Sequence, residues 1–193
     1  LMHLYFYLKH KMPFFASKKS NPHDLVEDVV SSLKALIPSK DKPNETQKKS
    51  EKSGDLDRSL RSLHSKLHDN DPSSEMVAQL CHEIYSQDLI VYLIASIPLV
   101  DFENRKDIIE SLCTLGRQKI GARMPTVEYI YDKPDDTIFR LLQIYSNVDA
   151  ALHVGILLRD FAKIPDLCSL VLLSEHFFEF FDLIQSPIFD VST

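Results

Sequence analysis

The sequence is poor in glycine and cysteine, and these shortages narrow the choice of fold. Four glycines and no tryptophan in 193 residues argue against a β-sandwich or β-barrel, because the tight turns of those folds use glycine. The three cysteines, Cys81, Cys113 and Cys168, are too few and too widely spaced for a disulfide framework or a zinc site. Each lies in an apolar helical pattern, so we expect buried, reduced thiols in a cytoplasmic protein.

The chain also lacks a long hydrophobic run and an excess of positive charge. Its longest uncharged run, residues 89–100, contains Pro98 and is too short to span a bilayer, so we expect no membrane segment. The N-terminus carries its charges after its apolar part, the reverse of a signal peptide. Residues 67–193 hold 9 Lys and Arg against 20 Asp and Glu. Such an acidic body argues against nucleic-acid binding, because phosphate affinity comes from clustered cations.

Apolar residues at helical spacing, in contrast, are abundant. In residues 22–37 they form one stripe, with Asn21 as a candidate N-cap. Residues 39–54 contain almost no apolar residue, so they form either a mobile linker, which we favour, or a solvated helix extension. The stripe resumes at Leu56. The pattern then predicts helices at 73–86, 87–97, 101–119, 125–132, 135–145, 148–162, 165–173 and 174–184.

A weak internal repeat organises these helices. The stretches that begin near Tyr85, Tyr131 and Leu173 each have a polar joint, a dense apolar helix and then a second helix. Their spacing of about 40–47 residues is typical of armadillo and HEAT repeats. We therefore predict an all-α fold, an α-solenoid of armadillo/HEAT-like repeats. Asp101, Asn147 and Ser186 are the expected caps of the second helices.

No motif in the chain supports catalysis. The stretch "CHEIYSQD" begins like a zinc-protease helix, but Ser86 stands where the second histidine is required. His64 and His68 can share a helix face, yet without a third ligand in view they predict a solvated pair rather than a metal site. The stretch from Asp69 lacks the glycine and the final acid of a calcium loop. We expect no catalytic residue, no cofactor and no metal.

The joint in residues 117–128 has two possible roles. Arg117 and Lys119 suit the last turn of a helix, Gly121 can close that helix, and Pro125 suits the first turn of the next one. One interpretation is a purely structural joint. The other is a joint that also offers Arg117, Lys119 and Arg123 to an acidic partner.

The aromatic stretch "HFFEFFDL" predicts packing for most of its members. Helical core spacing includes Phe177, Phe180, Phe181 and Ile184. The surplus Phe178, and Phe189 further on, are better candidates for surface anchors. At the last segment we expect an uncovered apolar face, because each layer of a solenoid needs a neighbour or a polar cap.

Residues 99–130, "LVDFENRKDIIESLCTLGRQKIGARMPTVEYI", closely resemble the Mo-twenty-five family, also called calcium-binding protein 39. Residues 12–26, 151–161 and 172–192 extend the resemblance to about Met12–Thr193. It implies one helical-repeat domain over residues 12–193, with residues 1–11 as a non-native or disordered extension. The chain stops near the middle of the family's length, so a fragment, a truncated gene model and a degenerate paralogue all stay open.

The resemblance implies a scaffold without catalytic activity. Family members bind the STRAD pseudokinase, activate with it the liver tumour-suppressor kinase, and stimulate kinases of the sterile-twenty group. We expect the chain to bind a STRAD-like pseudokinase or such kinases; the alternatives are an adaptor for another partner or a paralogue that has lost kinase activation. Phe189 matches the family's partner-facing surface. Arg117, Arg123 and Arg159 match basic positions of the pattern, and their contact role is our own hypothesis.

Overall fold

The computed structural model describes residues 21–37, 49–68, 74–187 and 191. These residues form helices and connecting turns, without a strand beyond one isolated bridge between Ile120 and Arg123. The helices are α1 (Pro22–Leu36), α2 (Lys49–Leu67), α3 (Ser74–Ser86), α4 (Leu89–Ser96), α5 (Phe102–Arg117), α6 (Pro125–Asp132), α7 (Ile138–Tyr145), α8 (Val148–Phe161), α9 (Pro165–Leu172) and α10 (Glu179–Ile184), with a 3-10 turn at Glu175–Phe178 before α10. The predicted all-α fold is confirmed.

Polar caps begin three of the long helices where the sequence predicts them. The Asn21 side chain accepts from the His23 N–H at the start of α1. Asp101 accepts from the Asn104 N–H at 2.9 Å and begins α5. Asn147 accepts from two N–H groups of the first turn of α8. Each cap satisfies N–H groups that have no partner inside the helix, which fixes where the helix starts. The segment expected to follow Ser186 lies mostly outside the described residues.

The helices stack as successive three-helix units. The units α3–α5 and α6–α8 repeat the same order, and their third helices start at caps 46 positions apart, Asp101 and Asn147. The third helices form one layer, in which α5 packs between α2 and α8. Helix α4 likewise packs against both α1 and α7. One continuous apolar core runs through these units from Val26 to Leu167, as expected of stacked repeats that bury their faces against neighbours.

A buried arginine ties the two complete units together. Arg105 on α5 is only 7% exposed. Its guanidinium donates to the carbonyl oxygens of Ile97 and Val100, at 3.0 and 2.9 Å, in the turn after α4. It also donates to the carbonyl oxygen of Asp149 in α8, at 2.6 Å. The seam between the units is therefore fixed by a cation whose partners are all backbone oxygens.

Two details of the joint after α5 differ from the prediction. The helix ends at Arg117, and extended backbone at Gln118 closes it, so Lys119 lies beyond the last turn. Gly121 has the expected positive φ of 64°, but it serves a tight turn in which Ile120 and Arg123 exchange backbone hydrogen bonds at 3.0 and 3.2 Å. The glycine is needed for that turn rather than for the end of the helix.

Other expectations concern the polar segment and the membrane. Helix α2 begins at Lys49, so the last residues of the 39–54 segment extend a helix, while residues 39–48 lie outside the described part of the chain. So do residues 1–11. In the described part, we find no helix with both the length and the apolar character needed to cross a bilayer.

Candidate partner-binding surface

The hypothetical contact residue Arg117 is held by an internal carboxylate. Its guanidinium donates to Oδ2 of Asp160 in α8, at 2.9 Å from Nε and 2.7 Å from the terminal nitrogen. Lys163 approaches Oδ1 of the same carboxylate at 3.2 Å. Burial raises the pKa of Asp160, but the hydrogen bonds from Arg117 and Lys163 outweigh it and leave that pKa below its usual value. Both cations are thus partly neutralised before any partner arrives.

Arg123 is likewise paired within the joint. It forms a two-pronged contact with Glu128, in which its Nε lies 3.0 Å from Oε1. Glu128 occupies the first turn of α6, and the hydrogen bond from Arg123 lowers its pKa. Both side chains are well exposed, so the pair is weak in water. The geometry fits the structural interpretation of the joint and leaves Arg123 reachable from solvent.

Arg159, the third predicted arginine, differs from the other two. It is exposed near the end of α8, and its guanidinium makes no hydrogen bond or ion pair with any residue in the described ranges. It lies at the edge of an apolar groove of about 430 Å³. Helices α7 to α10 and the 3-10 turn line this groove, among them Leu142, Leu167 and Phe180. Arg159 therefore places a cation beside an apolar groove.

The C-terminal end of the described chain exposes apolar side chains, as the sequence predicts. Leu173 is 88% exposed and Phe178 is 68% exposed. The proposed packing role of two other residues is wrong, because Phe181 and Ile184 are also more than half exposed. The predicted single helix at 174–184 is interrupted by the 3-10 turn, which changes the face that these residues present. Phe177 and Phe180 are half-buried, and Phe189 lies outside the described residues.

A second apolar feature was not predicted from the sequence. Val148, Leu152 and Ile156 repeat every four residues along α8 and are 41–57% exposed. Phe102, at the start of α5, is 58% exposed and lies edge-on against His153, with ring centroids 4.8 Å apart. The signal was present in the sequence, because the opposite face of α8 is apolar too, whereas a surface helix of a globular protein typically carries one apolar stripe.

The thiols and the rejected metal motif take structural roles. All three cysteines are free; Cys81 and Cys113 are buried as predicted, whereas Cys168 is partly exposed and lines the groove. Burial raises the pKa of Cys113 to about 11, which keeps it protonated and unreactive. Glu83, in the stretch that begins like a zinc-protease helix, instead binds Nδ1 of His23 at 2.8 Å and joins α3 to α1.

Stacked three-helix units with apolar surfaces define the chain as a helical-repeat protein of the α-solenoid class. It belongs to the Mo25-like family, whose model matches residues 13–193.

Individual relatives support this membership. The chain is 36% identical over 183 residues to a mouse protein named "Calcium-binding protein 39-like", and the match covers 95% of this chain and 53% of the mouse protein. It is 32% identical to "MO25-like protein 2" of Caenorhabditis elegans, over 94% of this chain and 54% of that protein. A "Mo25-like protein" of Schizosaccharomyces pombe is 29% identical, over 86% and 50%. The chain thus spans about half the length of the relatives it matches.

Proposed function

We propose that this protein is a non-catalytic scaffold of the cytoplasm that binds a protein kinase or pseudokinase and promotes kinase signalling. The partner implied by the family resemblance is a STRAD-like pseudokinase, with a liver tumour-suppressor-type kinase or sterile-twenty-group kinases as further candidates. One observation supports binding at this end of the chain: α8 carries an exposed apolar stripe, Val148, Leu152 and Ile156, and its last turn holds Arg159, which is unpaired within the described ranges. Apolar anchors beside a free arginine are typical of binding hot spots.

The stripe gives a defined contact geometry. Its members lie about one helical turn apart, so one partner helix or loop can cover all three. Arg159 then meets an acidic group at one edge, where its five N–H donors can engage a carboxylate with two hydrogen bonds.

The experiment is a binding measurement with a purified STRAD-type pseudokinase and the full 193-residue chain. We expect a saturable complex, weakened at least about tenfold by Leu152→Asp, since that change places a charge in an apolar contact. Ile120→Asp is the matched control, because Ile120 is also partly exposed but lies in the joint before α6. Absence of a complex, or equal weakening by both variants, would contradict the proposal.

A second candidate function is an adaptor for a different partner. The internal pairing of Arg117 with Asp160, and of Arg123 with Glu128, favours it, because these pairs reduce the positive charge that an acidic kinase surface would meet. The same binding experiment separates the two. Absence of binding to the pseudokinase, together with saturable binding to a protein without a kinase fold in the same assay, would select the adaptor.

A further inference from the structure

A group of metal-binding side chains lies between α2 and α5, away from the groove and the α8 stripe. His64 projects from α2, and Asp107 and Glu110 project from α5, one turn apart. One potential ligand atom from each residue lies within 4.8 Å of the other two. The three side chains are half-buried, so solvent can reach the group but does not surround it.

The hydrogen bonds within this group involve only two of its three side chains. His64 Nε2 lies 2.9 Å from Oε2 of Glu110. Asp107 makes no hydrogen bond or ion pair with any residue that the structure describes, although its carboxylate lies beside that of Glu110. Two carboxylates this close repel each other when both are ionised, and one imidazolium offsets only one of the two charges. A divalent cation between the three groups would.

We propose that His64, Asp107 and Glu110 bind a divalent transition-metal ion, with Zn²⁺ as the best match, and that this ion bridges α2 to α5. Imidazole nitrogen with carboxylate oxygens is a ligand set that suits Zn²⁺, whereas Ca²⁺ takes six to eight oxygen ligands. Water would fill the fourth position of a tetrahedral ion.

The distances fit such an ion after small movements of the side chains. Bonds of about 2.0–2.2 Å to a tetrahedral Zn²⁺ place neighbouring ligand atoms about 3.3–3.6 Å apart. The atoms of His64 and Glu110 are already closer than that, at 2.9 Å. No pair in the group exceeds 4.8 Å. The proposal assigns the remaining adjustment to the side chains of Asp107 and Glu110, which rotate about single bonds.

His68 is a natural control residue, because it is a neighbouring histidine with other partners. Its ring stacks on that of His64, with centroids 4.0 Å apart. Its Nδ1 lies 2.9 Å from the carbonyl oxygen of His64, and its Nε2 lies 2.9 Å from Oγ1 of Thr114. Both ring nitrogens are thus engaged by atoms that are not among the proposed metal ligands. The proposal predicts that His68 contributes little to metal affinity.

The test is calorimetric titration of Zn²⁺, and absorption spectroscopy with Co²⁺ as a coloured substitute, on the untagged 193-residue chain after chelator treatment. We expect one Zn²⁺ per chain and a thermal midpoint that rises with Zn²⁺. Asp107→Asn should weaken Zn²⁺ binding at least about tenfold. This variant breaks no hydrogen bond or ion pair within the described part of the chain and keeps nearly the same side-chain shape, so it should keep the fold. His64→Gln should have the same effect, while circular dichroism monitors its helix content.

Two matched variants complete the design. His68→Gln and the exposed-acid variant Glu103→Gln on α5 should bind Zn²⁺ as the wild type does. The proposal is overturned if the wild type binds no Zn²⁺, if Asp107→Asn binds it equally well, or if His68→Gln weakens binding as much as His64→Gln. It is also overturned if blocking the thiols abolishes binding, because the cysteines would then be the ligands.

Discussion

Removing the Arg105 guanidinium should destabilise the protein more than any change to its exposed ion pairs. Arg105 is buried and donates to three carbonyl oxygens. In Arg105→Met the side chain keeps an apolar stem of similar length but loses every donor. The carbonyl oxygen of Asp149 lies in the first turn of α8, where it keeps its intrahelical N–H partner. The carbonyl oxygens of Ile97 and Val100 lie in a turn and lose the donor that the structure gives them.

The expected cost follows from these two oxygens. A hydrogen bond from a charged donor contributes about 1.5–3 kcal/mol, and a buried carbonyl left without a donor costs about 1–3 kcal/mol. The variant gains back part of this, because it no longer buries a charge. We therefore expect Arg105→Met to lower the free energy of unfolding by about 3 kcal/mol. A typical domain has only about 5–15 kcal/mol in total.

Denaturant unfolding followed by circular dichroism measures this change. Arg58→Met is the matched control, because Arg58 pairs with Asp55 at 3.1 Å while both side chains are largely exposed. Exposed pairs of this kind contribute little, so the control should change the free energy of unfolding by less than about 0.5 kcal/mol. If Arg105→Met costs less than about 1 kcal/mol, or no more than the control, the two carbonyl oxygens find other donors and the reasoning fails.

Three further predictions concern packing, pH and association. Gly116→Ala should lower the free energy of unfolding by about 1–3 kcal/mol, because the added Cβ would lie 2.7 Å from the ring of the buried Phe161. Gly54→Ala is the control: its added Cβ meets nothing within 4 Å, so it should stabilise α2 by about 0.4–1 kcal/mol. Equal effects of the two variants in unfolding curves would contradict this. Burial, and after it the charge of Arg105, lowers the pKa of His153. Below a pH of about 6.5 the unfolded chain therefore binds more protons at this histidine than the folded chain does, and the free energy of unfolding should fall as the pH is lowered. Unfolding curves of His153→Gln at several pH values should lack this part of the decline. The exposed C-terminal face should make the 193-residue chain self-associate, and sedimentation should show less association in Phe181→Ser; a wild type that sediments as a monomer at all concentrations would refute it.

The fold was predictable because its signals are local. Asn21, Asp101 and Asn147 each begin a helix through contacts within three residues, and prolines mark the first turns of α6 and α9. The eight helices that were predicted with both bounds and found as single α-helices differ from the structure by at most three residues at either end. Their apolar spacing also indicated stacking, because such faces need neighbours.

The surface was less predictable because its contacts join distant positions. Asp160 and Arg117 are 43 positions apart in sequence, and nothing local to either residue shows that they form an ion pair. The same holds for Asp107 and Glu110, which reach His64 only once α5 packs on α2. The family resemblance pointed to basic positions at three arginines alike, and their partner role was our own hypothesis. Tertiary packing leaves just Arg159 unpaired among them within the described residues.

The seam between α5 and α8 both stabilises the stack and positions the exposed stripe of α8. The oxygen that Arg105 holds belongs to Asp149, the residue next to Val148 at the start of the exposed stripe. Phe102, which begins α5, packs on His153 in the middle of the same helix. The position of the stripe relative to α5 therefore depends on a buried cation and an aromatic contact rather than on the stripe residues themselves. Under the proposed function, a change at Arg105 that leaves the chain folded should for this reason also alter pseudokinase binding at Leu152, although Arg105 is buried and Leu152 is exposed.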